Sequence, residues 1–205
     1  MITKRSDGRD LLVAGQKSGT VWALDPDRNG ALVWSRQLGK GSANGGVHWG
    51  TATDGERVFV PLNDSKIVPD VPYSGPGLHA LDLKTGRVLW SRKAQADCSG
   101  DRKTLYPACD RRLGYSPAPL VIDGAVVQGS VDGILRVFDA VSGKTLWQYD
   151  TMRRFKTVNG VEGNGGALDS APYVAAGGTL FVQSGYARFG EKPGNVLLAF
   201  RPRQQ

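Results

Sequence analysis

The stretch LRVFDAVSGKTLWQY, residues 135–149, occurs three times with the same chemistry, and its reading decides the fold. Residues 20–36 read TVWALDPDRNGALVWSR, residues 78–92 read LHALDLKTGRVLWSR, and residues 196–202, VLLAFRP, look like a fourth copy cut short. Aspartates fall at Asp25, Asp82 and Asp139, glycines at Gly30, Gly86 and Gly143, and tryptophans at Trp34, Trp90 and Trp147, a period of 56 to 57 residues. A repeat of this length marks an architecture of stacked or radially arranged units.

Each copy is an alternating strand, a tight turn and a second strand ending in tryptophan. In LRVFD and LHALD every second side chain is apolar, which suits a strand with one face buried. The turn carries Asp or Ser ahead of a Gly that can take positive φ, so the unit is a hairpin. One hairpin cannot bury its own apolar face. Units must therefore pack on one another, and Trp34, Trp90 and Trp147 are expected between neighbours as structural residues. Asp25, Asp82 and Asp139 recur with the hairpin and are read as acceptors for turn amides.

The third repeat extends to a full unit, GYSPAPLVIDGAVVQGSVDGILRVFDAVSGKTLWQY, with strands expected at 116–122, 125–129, 134–139 and 144–149 and short DG, DG and SG turns between them. A unit of four antiparallel strands is a propeller blade. On this template, LLVAG (11–15) opens the first unit with no strand before it. The second unit has strands at 47–53 and 57–62, then a long connection, NDSKIVPDVPYSGPG (63–77). The last has strands at 169–175, 179–184 and 196–200. The strand count is three, four, four and three. The expected fold is an all-β propeller of four-stranded antiparallel blades, about four in this chain with the first and last incomplete, over 1–205 as one domain with blades at 11–40, 47–95, 115–152 and 167–202. Gly 28 and Pro 11 in 205 residues, with no long helical pattern, agree with many turns and very little helix.

The net charge of +7 and pI near 9.6 raise the question of nucleic acid. Lys and Arg are scattered, however, and the densest pairs, Arg111–Arg112 and Arg153–Arg154, do not grow into a tract with interleaved aromatics, so nucleic acid is not an expected partner. No run of about eighteen apolar residues suggests a membrane span, and the start MITKRSDGRD lacks the apolar core of a signal peptide. Cys98 and Cys109 lie in one polar loop, DCSGDRKTLYPACD. A local disulfide would place the protein in an oxidising compartment, and two free cytosolic thiols are the alternative. There is no Cys-x-x-Cys-His haem motif and no histidine near the pair for zinc.

The pattern A-x-D-x-x-T/S-G-x-x-x-W resembles the tryptophan-docking signature of quinoprotein propellers, the superfamily whose dehydrogenases bind pyrroloquinoline quinone (PQQ). It is nearly whole at Ala80, Asp82, Thr85, Gly86 and Trp90. The third copy has Val137 in place of the alanine, and the first is irregular at Pro26 to Gly30. GVEGNGGALDSAP, GVHWG, GYSPAP and the two-cysteine loop are most similar to polyvinyl-alcohol dehydrogenases and related alcohol-oxidising quinoproteins.

The resemblance implies alcohol oxidation, of secondary or polymeric alcohols among others, by hydride transfer to PQQ. Such chemistry needs a carboxylate base, an oxygen-ligated calcium ion and an aromatic platform. Asp169 is the expected base. His48, Trp49 and Asn164 are the expected cofactor contacts, and Glu162 with Asn164 the expected metal ligands. His48 as an ordinary polar channel residue and Trp49 as a packing residue are the alternatives. Whole enzymes of the family close eight blades, so this chain resembles a C-terminal part of such a propeller. It is expected either to form a homo-oligomer, a dimer above all, or to join missing N-terminal blades, with the parent protein periplasmic or secreted. A non-catalytic propeller scaffold and a self-assembling fragment without cofactor are the competing functions.

Overall fold

The computed structural model describes residues 1–5, 7–64, 74–110, 113–170, 172–187 and 190–202. Blade 1 comprises β1 (Ile2–Lys4), β2 (Asp10–Gly15), β3 (Thr20–Asp25) and β4 (Ala31–Gln37). Blade 2 comprises β5 (Ala52–Thr53), β6 (Arg57–Leu62), β7 (Gly77–Asp82) and β8 (Val88–Lys93). Blade 3 comprises β9 (Leu120–Ile122), β10 (Ala125–Gln128), β11 (Ile134–Asp139) and β12 (Thr145–Asp150). A separate hairpin, β13 (Arg154–Lys156) and β14 (Glu162–Asn164), precedes blade 4, which comprises β15 (Tyr173–Ala176), β16 (Thr179–Ser184) and β17 (Val196–Phe200). Every pairing is antiparallel and between sequence neighbours, the meander expected of propeller blades. Helix is confined to a 3-10 turn at Pro26–Arg28 and one turn of α-helix, α1 (Arg102–Leu105), among the described residues.

Blade 1 departs from expectation because its inner strand is present. Ile2, Thr3 and Lys4 pair with Leu12, Leu11 and Asp10, and the Met1 amino group donates to the Val13 carbonyl at 3.0 Å. The strand escapes a reading by hydrophobic pattern because it is three residues long and Ile2 is largely exposed. The count is thus four, four, four and three. The inner strands are also shorter than their alternation suggests, each for a backbone reason. Gly46 and Gly50 take positive φ ahead of β5, Pro117 and Pro119 offer no amide hydrogen ahead of β9, and Ser170 sits at φ 65° with Pro172 close behind it ahead of β15. The β13–β14 hairpin is a further difference, since part of the glycine-rich run GVEGNGGALDSAP, which lies between the strands expected at 144–149 and 169–175, forms it.

The signature hairpins share one construction. Each has a register shift one residue before its aspartate or at the residue before that: Ala23/Leu24, Ala80/Leu81 and Val137/Phe138. Asp82 Oδ1 accepts from the amides of Lys84 and Thr85 and from the Thr85 hydroxyl, and Asp139 Oδ1 accepts from the Ser142 amide and hydroxyl. Partial burial pushes the Asp82 carboxyl up, but those hydrogen bonds outweigh it and hold the group below its usual range.

The tryptophans join blade to blade. Trp34 Nε1 donates to the Leu83 carbonyl and Trp90 Nε1 to the Ala140 carbonyl, each at 3.0 Å. The ring lies over the next blade's turn: a Cβ at Gly86 would stand 2.5 Å from Trp34, and one at Gly143 2.6 Å from Trp90. Glycine is required there twice over, because both positions also have φ of 66°. Two residues on, Arg36 Nε donates to the Gly86 carbonyl and Arg92 Nε to that of Gly143. Trp147 sits at the blade 3–blade 4 boundary, against Phe200 and Tyr149, but is 39% exposed and makes no indole hydrogen bond among the described residues. The residue matching Gly143 would be position 205, which lies outside the described residues, as do Arg111–Arg112, the middle of the 63–77 connection and the end of RPRQQ.

Three apolar clusters fill the inter-blade spaces. Leu11, Val21 and Trp34 meet Val58 and Leu81; Phe59, Leu78 and Trp90 meet Val126 and Phe138; Val127 and Leu135 meet Leu168 and Val182. Because neighbours cover both faces of blade 2, its middle strands are buried almost throughout rather than alternately. His79 is consequently fully buried on β7. Its Nε2 faces the Gly75 carbonyl at 3.3 Å, which can only accept, so Nε2 carries the proton and Nδ1 accepts from the Ser91 hydroxyl at 2.9 Å. Burial, opposed by the Gly75 carbonyl and helped by nearby Lys93, lowers its pKa to about 4.

Candidate functional site

The segments leading into the inner strands of blades 2, 3 and 4 converge, and with them several residues expected at a site. Trp49 Nε1 donates to Asp169 Oδ1 at 3.0 Å across 120 residues of chain. His48 Nδ1 lies 3.3 Å from the hydroxyl oxygen of Ser116 in blade 3. Tyr173 braces the same region by donating to the Ala118 carbonyl at 2.7 Å while accepting from the Gly129 amide.

The local sequence explains the placement. Positive φ at Gly46 and Gly50 lets the chain turn on either side of His48 and Trp49, projecting both from irregular backbone. Asp169 is buried, and its Oδ1 receives the Ser170 amide at 2.6 Å as well as the Trp49 indole. Both bonds fall on Oδ1, while Oδ2 makes no hydrogen bond among the described residues and retains solvent contact. Trp49 is 49% exposed, leaving open indole surface beside the carboxylate. A buried carboxylate with one oxygen anchored and the other open can accept a proton from a ligand hydroxyl.

Glu162 and Asn164 sit elsewhere, on β14. Glu162 Oε1 lies 3.7 Å from Arg154 Nε, and the Asn164 backbone exchanges hydrogen bonds with Asn195. Neither makes a hydrogen bond or ion pair with His48, Trp49 or Asp169 among the described residues. Among the described residues, no group of three or more His, Cys, Asp or Glu side chains is placed to hold a metal ion. Nothing in the sequence singles out Ser116, Ser170 or Tyr173: a serine ahead of a proline and a residue forced to positive φ carry no pattern of their own. Cys98 and Cys109 form a disulfide, with a Cα–Cα separation of 5.5 Å.

Residues 17–197 match the family model described as outer membrane protein assembly factor BamB. The chain belongs to that family. Within this quinoprotein-type propeller group, the polyvinylalcohol dehydrogenase of Sphingopyxis sp. (strain 113P3) is 40% identical over 210 residues, covering 96% of this chain and 31% of that protein. The chain thus spans about a third of the length of the polyvinylalcohol dehydrogenases it matches. Among solved structures, a europium-containing methanol dehydrogenase superposes with a TM-score of 0.60 at 17% identity, over 95% of this chain and 38% of that one. BamB from Moraxella catarrhalis gives 0.56 at 19% identity, over 89% of this chain and 42% of that one. These two likenesses show the propeller fold. No helix among the described residues is long and apolar enough to cross a membrane.

Proposed function

We propose that this chain is the portion of a PQQ-dependent alcohol dehydrogenase that contributes the proton-accepting carboxylate and an aromatic wall. The observation that carries the reading is the hydrogen bond from Trp49 to Asp169, which joins segments of two blades at one carboxylate. Identity of 40% to a polyvinylalcohol dehydrogenase supports the substrate class, alcohols including secondary and polymeric ones.

The residues present suit a planar, polyanionic quinone: open indole surface at Trp49 for stacking and an imidazole at His48 for a ring carboxylate. When bound, the quinone supplies the hydride acceptor. Asp169 Oδ2 takes the substrate hydroxyl proton, while the Trp49 indole and Ser170 amide hold Oδ1 and fix the carboxylate plane. Calcium enters this proposal without an assigned ligand set, and Glu162 and Asn164 take no part in it. The disulfide supports an oxidising, extracytoplasmic compartment for the parent protein.

A non-catalytic scaffold is the second reading, favoured by the match to an outer membrane assembly factor. Dye-linked oxidation of a secondary alcohol, with PQQ and calcium added, separates the two. The dehydrogenase reading expects slow but saturable oxidation that Asp169→Asn lowers by at least about a hundredfold. Oxidation that survives Asp169→Asn removes the base assignment, and none in the wild type favours the scaffold.

A further inference from the structure

A second recess lies away from the Trp49–Asp169 site, between blades 2 and 3. It is a cleft of about 890 Å³ lined by Arg92 and Lys93 from β8, Asp97 from the disulfide loop, Tyr115, and Arg136 and Gln148 from blade 3. Its lip is held on two sides. The Cys98–Cys109 bond closes the loop, and the buried Arg102 donates to the Asp97 carbonyl, the Asp132 carbonyl and the Asp150 carboxylate, tying the loop to blade 3.

Its cations exceed its anions. Arg92 donates to the carbonyls of Gly143, Ser142 and Ser91, so no carboxylate offsets its charge. Lys93 is exposed and forms no ion pair among the described residues. Arg136 is matched by Asp132 at 3.2 Å. Among the described lining residues the one carboxylate, Asp97, is turned into its own loop, accepting from Ser99 and facing Arg102. Two positive charges without counter-charge at the wall of a recess raise the local concentration of anions.

An independent observation concerns Tyr115. The residue is 3% exposed, with its ring against Phe138 and the Arg136 guanidinium 5.7 Å from the ring centroid. Among the described residues its hydroxyl makes no hydrogen bond, and because that oxygen is not fully shut off from solvent the residue is buried by its ring while the hydroxyl keeps an open side. Burial, tempered by Arg136, raises its pKa to about 12, so it remains a donor at neutral pH. Tyr115 lines the cleft, and its hydroxyl has a hydrogen bond to give.

We infer that this cleft binds a small organic molecule bearing one oxyanion, a carboxylate or a phosphate, held by Arg92 and Lys93 and by the Tyr115 hydroxyl. Charge-assisted donors of this kind favour oxyanions over neutral polyols. Its lining residues include neither Trp49 nor Asp169.

Glycerate and glycerol 3-phosphate, which differ chiefly in their oxyanion, serve as probes in calorimetric titrations at low salt. At least one should bind saturably with a Kd below about 1 mM, and the tighter one identifies the anion. Tyr115→Phe, which keeps the ring and removes the hydroxyl, should weaken binding about fivefold with an unchanged melting temperature. Lys93→Gln, an exposed change that spares the fold, should weaken it by a similar factor, and Asp169→Asn should leave it unchanged. Failure of both probes to saturate, or equal affinity in wild type, Tyr115→Phe and Lys93→Gln, overturns the inference. Should Tyr115→Phe melt early, Lys93→Gln decides.

Discussion

The Trp90 indole of blade 2 donates to the Ala140 carbonyl of blade 3 at 3.0 Å and covers Gly143 of the same turn, while Trp147, its counterpart one blade on, packs on Phe200 and makes no indole hydrogen bond among the described residues. The two residues occupy equivalent repeat positions and differ in burial, 8% against 39% exposed. They form an internal control for the docking contact. Trp90→Ala should cost about 3 to 5 kcal/mol in denaturant unfolding, and Trp147→Ala about 1 kcal/mol, because much of its surface is wet before the substitution. Equal losses at both positions would contradict the account of blade docking.

His79 makes stability depend on pH. Its folded pKa of about 4 lies below the ordinary value of 6.5, so the unfolded chain binds more protons between those limits. The contribution is complete above about pH 6.5 and is lost as pH falls toward 4, amounting to about 3 kcal/mol by linkage. Unfolding free energy measured at steps from pH 7 to 4 should fall accordingly in the wild type and fall less in His79→Gln. Parallel curves would show that His79 is not the residue responsible.

The two ends of the blade series expose apolar side chains: Ile2, Leu32 and Val33 in blade 1, Val174 and Leu197 in blade 4. We expect two copies to cover these faces in one composite ring, the alternative being further blades of a longer parent chain. Sedimentation equilibrium at low micromolar concentration should give a mass of twice 21.9 kDa. A stable monomer of 21.9 kDa would contradict the dimer.

Much of the fold is legible in the repeat because its hairpin must satisfy several constraints in one short window: an aspartate to cap the turn, a glycine at positive φ, and an indole that fits only over a residue lacking Cβ. Strands of the third unit at 134–139 and the last at 179–184 and 196–200 coincide with their alternation. Ile2–Lys4 is hidden because a three-residue strand shows no period, and the β13–β14 hairpin because glycines signal turns without saying which strands they join. At the site, the composition of GVHWG and ALDSAP draws attention to His48, Trp49 and Asp169, but nothing in either segment reveals that Trp49 reaches Asp169. That contact is a product of blade geometry. The same is true of the Tyr115 cleft, whose members come from two blades and a disulfide loop.

Equilibrium dialysis of PQQ against the chain with calcium present, read by quinone absorbance, is the most direct test of the proposed function. The account predicts saturable binding by the wild type, binding about tenfold weaker in Trp49→Ala, and near wild-type binding in Asp169→Asn, whose loss is confined to proton transfer. Absence of saturable binding, or equal binding by wild type and Trp49→Ala, would contradict it.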